Sequence, residues 1–310
     1  MTGTRLPRRG VLAAGLAGAL LPALGCEGPQ VPAPDSPLRL ATGPEGAVYR
    51  EIGQAIADVV NREWPQAQLE LLYTDASWEN IRLLDRGEVE LVLMNIDIAE
   101  SEGSGALALG RLFESVFHVV VPADAAVRSL RDLDGREIAC GLPLSGSRFM
   151  AQAIFEVAGI RPRLRDYSQA ASATALMDGE VEAVVSLTGM PTPALAQLGE
   201  HGGFALLSLA DVVEDVVAAT PMHYMPVTVP VSMYPGLGTA QTLAVPTLLG
   251  ADARLPEEIA WRLTGLVFDH AAELSQARPE AGQINVRTGA ATVPVPLHPG
   301  AARWFREQKP

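Results

Sequence analysis

The chain reads as an α/β protein, a two-lobed clamshell with parallel-rich sheets and crossover strands between its lobes. Two observations carry that reading. The first is an echo: Leu84-Asp85-Arg86-Gly87-Glu88-Val89-Glu90-Leu91-Val92 returns as Leu176-Met177-Asp178-Gly179-Glu180-Val181-Glu182-Ala183-Val184. Each copy closes a helix-spaced pattern and opens a run of apolar β-formers. Glycine frees the backbone where a helix stops, and a continuous apolar run suits a buried parallel strand. The second is that strand, polar loop and helix alternate in the same way on both sides of the middle of the chain. One echo is too few for a solenoid, so two lobes of like construction follow.

The first element is a leader. Arg5, Arg8 and Arg9 form a basic head, Val11 to Leu24 is apolar, and Gly25-Cys26 follows. That run is too short for an ordinary membrane helix and suits a signal peptide over residues 1–25. Arg8-Arg9-Gly10-Val11-Leu12 resembles a twin-arginine signal, and Ala23-Leu24-Gly25-Cys26 resembles a lipobox. The expectation is export to the periplasm, lipidation of Cys26, and a Pro- and Gly-rich tether over 26–37 between membrane and domain. Cys140 is then the one remaining thiol, so the mature domain has no internal disulfide and stands on its core.

The net charge of −13 becomes more negative once the leader arginines leave. An acidic surface repels phosphate backbones, which argues against nucleic acid as a partner. Lysine occurs at Lys309 alone, so arginine carries nearly all the positive charge.

Lobe 1, expected over 38–120, starts with a strand at Leu38–Thr42 and a loop, Gly43-Pro44-Glu45-Gly46. Val48, Ile52, Ile56, Val59 and Val60 then recur at helical spacing. Trp64-Pro65 ends that helix, and Leu69–Tyr73 is a strand. Ser77 is placed to cap a helix carrying Ile81, Leu83 and Leu84, and Val89–Ile96 is the third strand. Ser115–Val121 prepares the crossing to lobe 2, expected over 121–230. There Arg136–Gly141, Arg163–Tyr167 and Val181–Leu187 read as strands, with helices over Phe149–Val157 and Ala170–Met177. Met225–Val231 reads as the return crossing and Thr242–Leu249 as a strand back in lobe 1. Residues 231–310 complete that lobe, with Val293–Gly300 as an extended strap before a short helix around Trp304.

Loops at the carboxyl ends of parallel strands line the ligand crevice in open α/β sheets. Four such loops stand out: 43–46, 75–80, 144–147 and 188–193. Helix N-termini and their N–H groups there favour an anion without a metal. The candidate ligand residues are Gly43, Gly46, Tyr49, Ser77, Asn80, Asn95, Asp97, Ser145, Ser147, Arg148 and Thr188. Tyr49 is a pocket wall or a core residue; Asn80 and Asp97 are ligand contacts or helix-end hydrogen bonders. Arg148, opening a helix beside Ser147, is the most attractive charge for a carboxylate. The five histidines never reach metal-ligand spacing, and no cofactor is implied. Ser145 lacks a Gly-x-Ser-x-Gly elbow and Cys140 has no assigned base, so an enzyme reading finds no machinery.

Several of these words form a series: Ala41-Thr42-Gly43 through Gly46 and Tyr49; Ser77-Trp78-Glu79-Asn80-Ile81-Arg82-Leu83-Leu84; Gly87-Glu88-Val89-Glu90; Ser145-Gly146-Ser147-Arg148. Pro191-Thr192-Pro193-Ala194, Tyr234-Pro235-Gly236 and Pro296-Leu297-His298-Pro299-Gly300-Ala301-Ala302 complete it. The series resembles the TAXI family of periplasmic solute receptors, which serve tripartite ATP-independent periplasmic (TRAP) transporters. The resemblance implies a periplasmic-binding-protein clamshell that closes on a small organic anion or amino acid and delivers it to an ion-gradient-driven TRAP permease. The alternative is a lipoprotein sensor presenting its solute to a membrane signalling receptor.

Overall fold

The computed structural model describes residues 1–3, 31–44, 46–220 and 223–309. The signal segment beyond Gly3, and Cys26 with it, lie outside the described residues. Among the described residues no helix is long and apolar enough to cross a membrane.

The echoed turns are built alike. Gly87 and Gly179 hold φ of 71° and 73°, a left-handed conformation that a side chain would strain. The N–H groups of Gly87 and Glu88 donate to the carbonyls of Leu84 and Leu83, and those of Gly179 and Glu180 to Leu176 and Ala175. Both helices therefore stop on the same carbonyl-satisfying motif.

Each turn feeds a parallel three-strand unit. In the first, β1 (Arg39–Ala41), α1 (Val48–Glu63), β2 (Glu70–Leu72), α2 (Ser77–Asp85) and β3 (Leu91–Asn95) give the strand order β2-β1-β3. After α3 (Ile96–Ser101) and β4 (Leu107–Pro122), the second unit has β5 (Glu137–Ala139), α4 (Gly146–Ala158), β6 (Arg163–Arg165), α5 (Gln169–Met177) and β7 (Ala183–Thr188), in the order β6-β5-β7. The chain continues through α6 (Pro193–His201), β8 (Phe204–Leu206), α7 (Val213–Ala219), β9 (Met225–Val229), β10 (Ala240–Ala251) and α8 (Glu257–Asp269). Two-lobed α/β architecture is thus what the chain adopts.

Two long strands join the lobes. β4 pairs antiparallel with β10 from Leu107 to Val116 and with β7 from Val116 to Val120. β10 pairs with β9 over Ala240–Ala244 and with β3 over Thr247–Ala251. Its change of partner falls at Val245-Pro246, where proline has no N–H to extend a ladder, and the register with β4 shifts between Thr247 and Leu248.

Both crossings differ from their expected positions. The first strand starts at Leu107 rather than Ser115, and the charges of Arg111 and Glu114, which interrupt its apolar pattern, are paired with each other. The return crossing is β10 itself. The expected crossing at Met225–Val231 is β9, which flanks only the first half of β10.

On one face of the sheet a single apolar cluster runs through both lobes, joining Ile81, Met94 and Ile98 to Phe117, Met150, Ile154 and Tyr224. The other face carries two clusters, one around Ile52, Phe113, Leu263 and Trp304 and one around Val120, Ala173, Leu198 and Tyr234. At roughly 1.5–3 kcal/mol for each fully buried large side chain, these clusters supply the main driving force for folding. The strap docks by a bridge between Leu297 and Ala108, and His298 caps the final helix, Pro299–Glu307.

Candidate functional site

A cavity of about 120 Å³ opens where the carboxyl ends of the two parallel units face each other. Lobe 1 contributes Val48, Tyr49, Ala76, Ser77 and Asn95, and the β4 crossover contributes Ser115. Lobe 2 supplies Ser145 to Ser147, Gln169, Ser172 and the end of β7 through Gly189. A dry engineered cavity of roughly 150 Å³ holds benzene, so the room here suits a ligand of about that size.

The lobe 1 wall is a closed hydrogen-bond network centred on Thr247. Its Oγ1 lies 2.9 Å from Ser115 Oγ and 3.5 Å from the Tyr49 hydroxyl, and accepts from Asn95 Nδ2 at 3.2 Å. Ser77 Oγ donates to Asn95 Oδ1 at 3.1 Å, accepts from the Asn95 N–H at 3.2 Å and lies 3.3 Å from the Tyr49 hydroxyl. Paired side chains in a low-dielectric site are held rigidly, which pre-shapes the wall. Burial pushes the Tyr49 phenol well above its ordinary range, so it stays a neutral hydroxyl.

The lobe 2 wall is also polar and tied down. Ser145 caps α4 by accepting from the Arg148 N–H at 3.2 Å, and its hydroxyl donates to the Leu142 carbonyl at 2.8 Å. Ser147 Oγ accepts from the Leu187 N–H at 2.8 Å, and Gln169 Nε2 donates to Ser186 Oγ at 2.7 Å. Two helix starts meet across the cavity. Ser77, expected to cap α2, is instead its first residue: the cap position is Ala76, with φ of 85° and no side-chain hydrogen bond, because the Ser77 hydroxyl is committed to Asn95; α4 begins at Gly146. Both present N–H groups that the helix itself leaves unused. Among the described residues, Asp75 is the one acidic lining residue, and the lining holds no arginine, lysine or histidine.

Of the sequence candidates, Tyr49, Ser77, Asn95, Ser145, Ser147 and Thr188 line this cavity. Gly43 and Gly46 do not line it but flank Pro44 and Ala47, which do: a β-carbon on Gly43 would stand 3.1 Å from that of Tyr49, and Gly46 holds φ of 74°. Asn80 is a buried staple behind the wall. It donates to the carbonyls of Thr42 and Leu93, both at 2.7 Å, and accepts from Thr74 Oγ1. Asp97 is also buried behind the wall, accepting from the Tyr224 hydroxyl and the Ile98 N–H, both at 2.9 Å. Burial pushes its carboxyl up to about 6, and those hydrogen bonds oppose the shift.

Arg148 turns away from the cavity. Its guanidinium donates to the carbonyls of Cys140 at 3.3 Å and Gly141 at 3.0 Å and pairs with Asp166. The helix start it shares with Ser147 is at the site, but its side chain closes the end of β5. Burial raises the neighbouring Cys140 thiol to about 12, which keeps it unreactive.

Sequence reasoning missed Ser115, Thr247, Gln169, Ser172 and Ser186. Ser115 and Thr247 are isolated hydroxyls inside apolar β runs, a signal that could have been followed. Gln169 and Ser172 lie in the first turn of α5, which follows β6 through a fifth strand-to-helix connection. Among the described residues no cluster of three or more His, Cys, Asp or Glu side chains could hold a metal ion.

The architecture is shared with solved proteins of low sequence identity. The periplasmic aliphatic sulphonate-binding protein SsuA of Escherichia coli matches with a TM-score of 0.51 at 15% identity, over 89% of this chain and 84% of its own. A Xanthomonas citri protein solved with ATP bound matches with a TM-score of 0.53 at 16% identity, over 88% of this chain and 95% of its own. At such identities the likeness is one of fold. A family model, by contrast, aligns with residues 40–308, almost all of the domain, and it is not that of the TAXI receptors. The words behind the TAXI resemblance, glycine turns, serine helix starts and proline stops, are ones that a two-lobed α/β fold requires on physical grounds. The chain belongs to the NMT1-like family.

Proposed function

We propose that the chain is an extracytoplasmic solute receptor that closes its lobes on one small molecule and passes it to a membrane permease. The observation that carries this is the cavity itself, walled from both lobes and from the β4 crossover by tethered hydroxyls and amides. Such a wall binds and orients a solute; it offers no activated nucleophile and no base positioned beside one.

The ligand in this reading carries an acidic group. Peptide N–H groups at the starts of α2 and α4, together with the Ser147 hydroxyl, which accepts from the Leu187 N–H and keeps its own proton to donate, meet that group without a guanidinium. The sulphonate and ATP named for the two solved relatives are anions as well. Delivery to an ion-gradient-driven permease rested on the TAXI resemblance and goes with it, so the proposal extends to a permease without its energy source. The leader supports export, with anchoring through Cys26 as part of the same proposal.

Calorimetric titration with a panel of small carboxylates, sulphonates, amino acids and neutral isosteres tests this reading. Saturable one-to-one binding of an acidic member, lost in its neutral isostere, is expected. Equal binding of the neutral isostere would remove the anion.

A further inference from the structure

Beside the cavity, α3 meets the segment that leads into β9. α3 follows directly from Asn95, a cavity residue, and belongs to lobe 1; His223 and Tyr224 follow α7 in lobe 2. Two contacts join them. The Tyr224 hydroxyl donates to Asp97 Oδ2 at 2.9 Å, both groups buried, and His223 Nε2 pairs with Glu100 Oε2 nearer the surface. The two α3 residues lie one turn apart, and their partners are adjacent in the chain, so the contacts form one patch. The Tyr224 ring sits in the same apolar cluster as Ile98 and Val216, which fixes its hydroxyl against Asp97.

We propose that this patch is an inter-lobe clasp which sets the resting angle of the receptor before any solute arrives. None of its four side chains lines the cavity, so the clasp forms independently of ligand contacts. A contact made in the closed arrangement raises the population of that arrangement, and a ligand then has less closing work to do. The other charges near α3 are engaged elsewhere: Arg82 pairs with Glu102 at its far end. Tyr49 of α1, which also feels the Asp97 charge, is held in the Thr247 network as a neutral hydroxyl.

The test reads the lobes without ligand. Spin labels at Gln54→Cys on α1 and Gln152→Cys on α4, in a Cys26→Ser background that leaves only the buried Cys140, report the inter-lobe distance by double electron–electron resonance. Tyr224→Phe removes the buried contact, and Glu100→Ala, at an exposed position, removes the outer one with little risk to folding. The expected result is a shift of the distance distribution to longer values in each, largest when the two are combined, with the helical circular dichroism unchanged. Distributions that match the parent in all three would overturn the clasp, as would a fall in melting temperature with no change in distance. Because no solute is present, either outcome leaves the binding proposal to be judged separately.

Discussion

Gly146 of lobe 2 lies directly against Asn95 of lobe 1: a β-carbon on the glycine would stand 2.9 Å from the Asn95 Oδ1. Gly189, in the other lobe 2 loop, approaches lobe 1 equally closely, and its β-carbon would stand 2.9 Å from Glu280 Cγ and 3.2 Å from Val48 and Phe113. The lobes are therefore shut on each other at two glycines, one on each side of the cavity. Asn95 cannot yield easily, because it is held by Ser77 and Thr247.

Adding a methyl group at either glycine should prop the cleft open. Gly146→Ala and Gly189→Ala are expected to weaken solute binding about tenfold or more, equivalent to about 1.4 kcal/mol of closure energy. Gly105→Ala, with nothing within 4 Å of its added carbon, should bind as the parent does. Calorimetry on the three variants with the same acidic solute checks this.

Thr247 is the hub of the lobe 1 wall, and Thr247→Val keeps its shape while removing the hydroxyl. Asn95 Nδ2 and Ser115 Oγ then lose a buried partner. A loss of roughly 1–3 kcal/mol in unfolding free energy follows from leaving such groups unsatisfied. Urea denaturation, with unchanged m-value, is the measurement.

Arg148→Ala should separate stability from binding. The guanidinium holds two carbonyls at the end of β5 and Asp166 rather than the cavity. The expected outcome is a lower melting temperature, with affinity for an acidic solute within about twofold of the parent's. A loss of binding much larger than the loss of stability would return Arg148 to the ligand.

Two buried groups give stability opposite pH slopes. Burial lifts the Asp97 carboxyl from an ordinary 3.8 to about 6, so between those values the folded state binds more protons and stability falls as pH rises. His118, which burial lowers from 6.5 to about 4, behaves in reverse: the unfolded state binds more protons there, and stability is lost as pH falls through that window. Each contribution is on the order of 3 kcal/mol, so they largely cancel between pH 4 and 6. Asp97→Asn should expose the His118 slope, making the variant lose stability on acidification more steeply than the parent. Thermal melts at intervals from pH 4 to 7 resolve it.

The two-lobed fold was legible because its signals are local. Gly87 and Gly179 end helices by a backbone conformation that few other residues tolerate, and the apolar runs after them have few alternatives to buried parallel strands. Ser77, Ser145 and Ser147 were legible for the same reason, since a serine at a helix start has a position that follows from the helix. What was hidden depended on pairing across long stretches of chain. Arg111 and Glu114 disguised the start of β4 because their charges are neutralised by each other, and β9 imitated a crossing because its apolar pattern does not reveal that β10 outlasts it. Arg148 shows the limit most plainly. Its place beside the site followed from the helix start, but the direction of its side chain was set by Asp166, on a different strand-to-helix connection.

The most direct measurement is native mass spectrometry of protein purified gently from an exporting host, with the released small molecule identified. A receptor closed on an anion should carry one acidic solute per chain in the parent and show a much lower occupancy in Gly146→Ala. Recovery of neutral apolar molecules, or of the same solute at equal occupancy in Gly146→Ala, would contradict that reading.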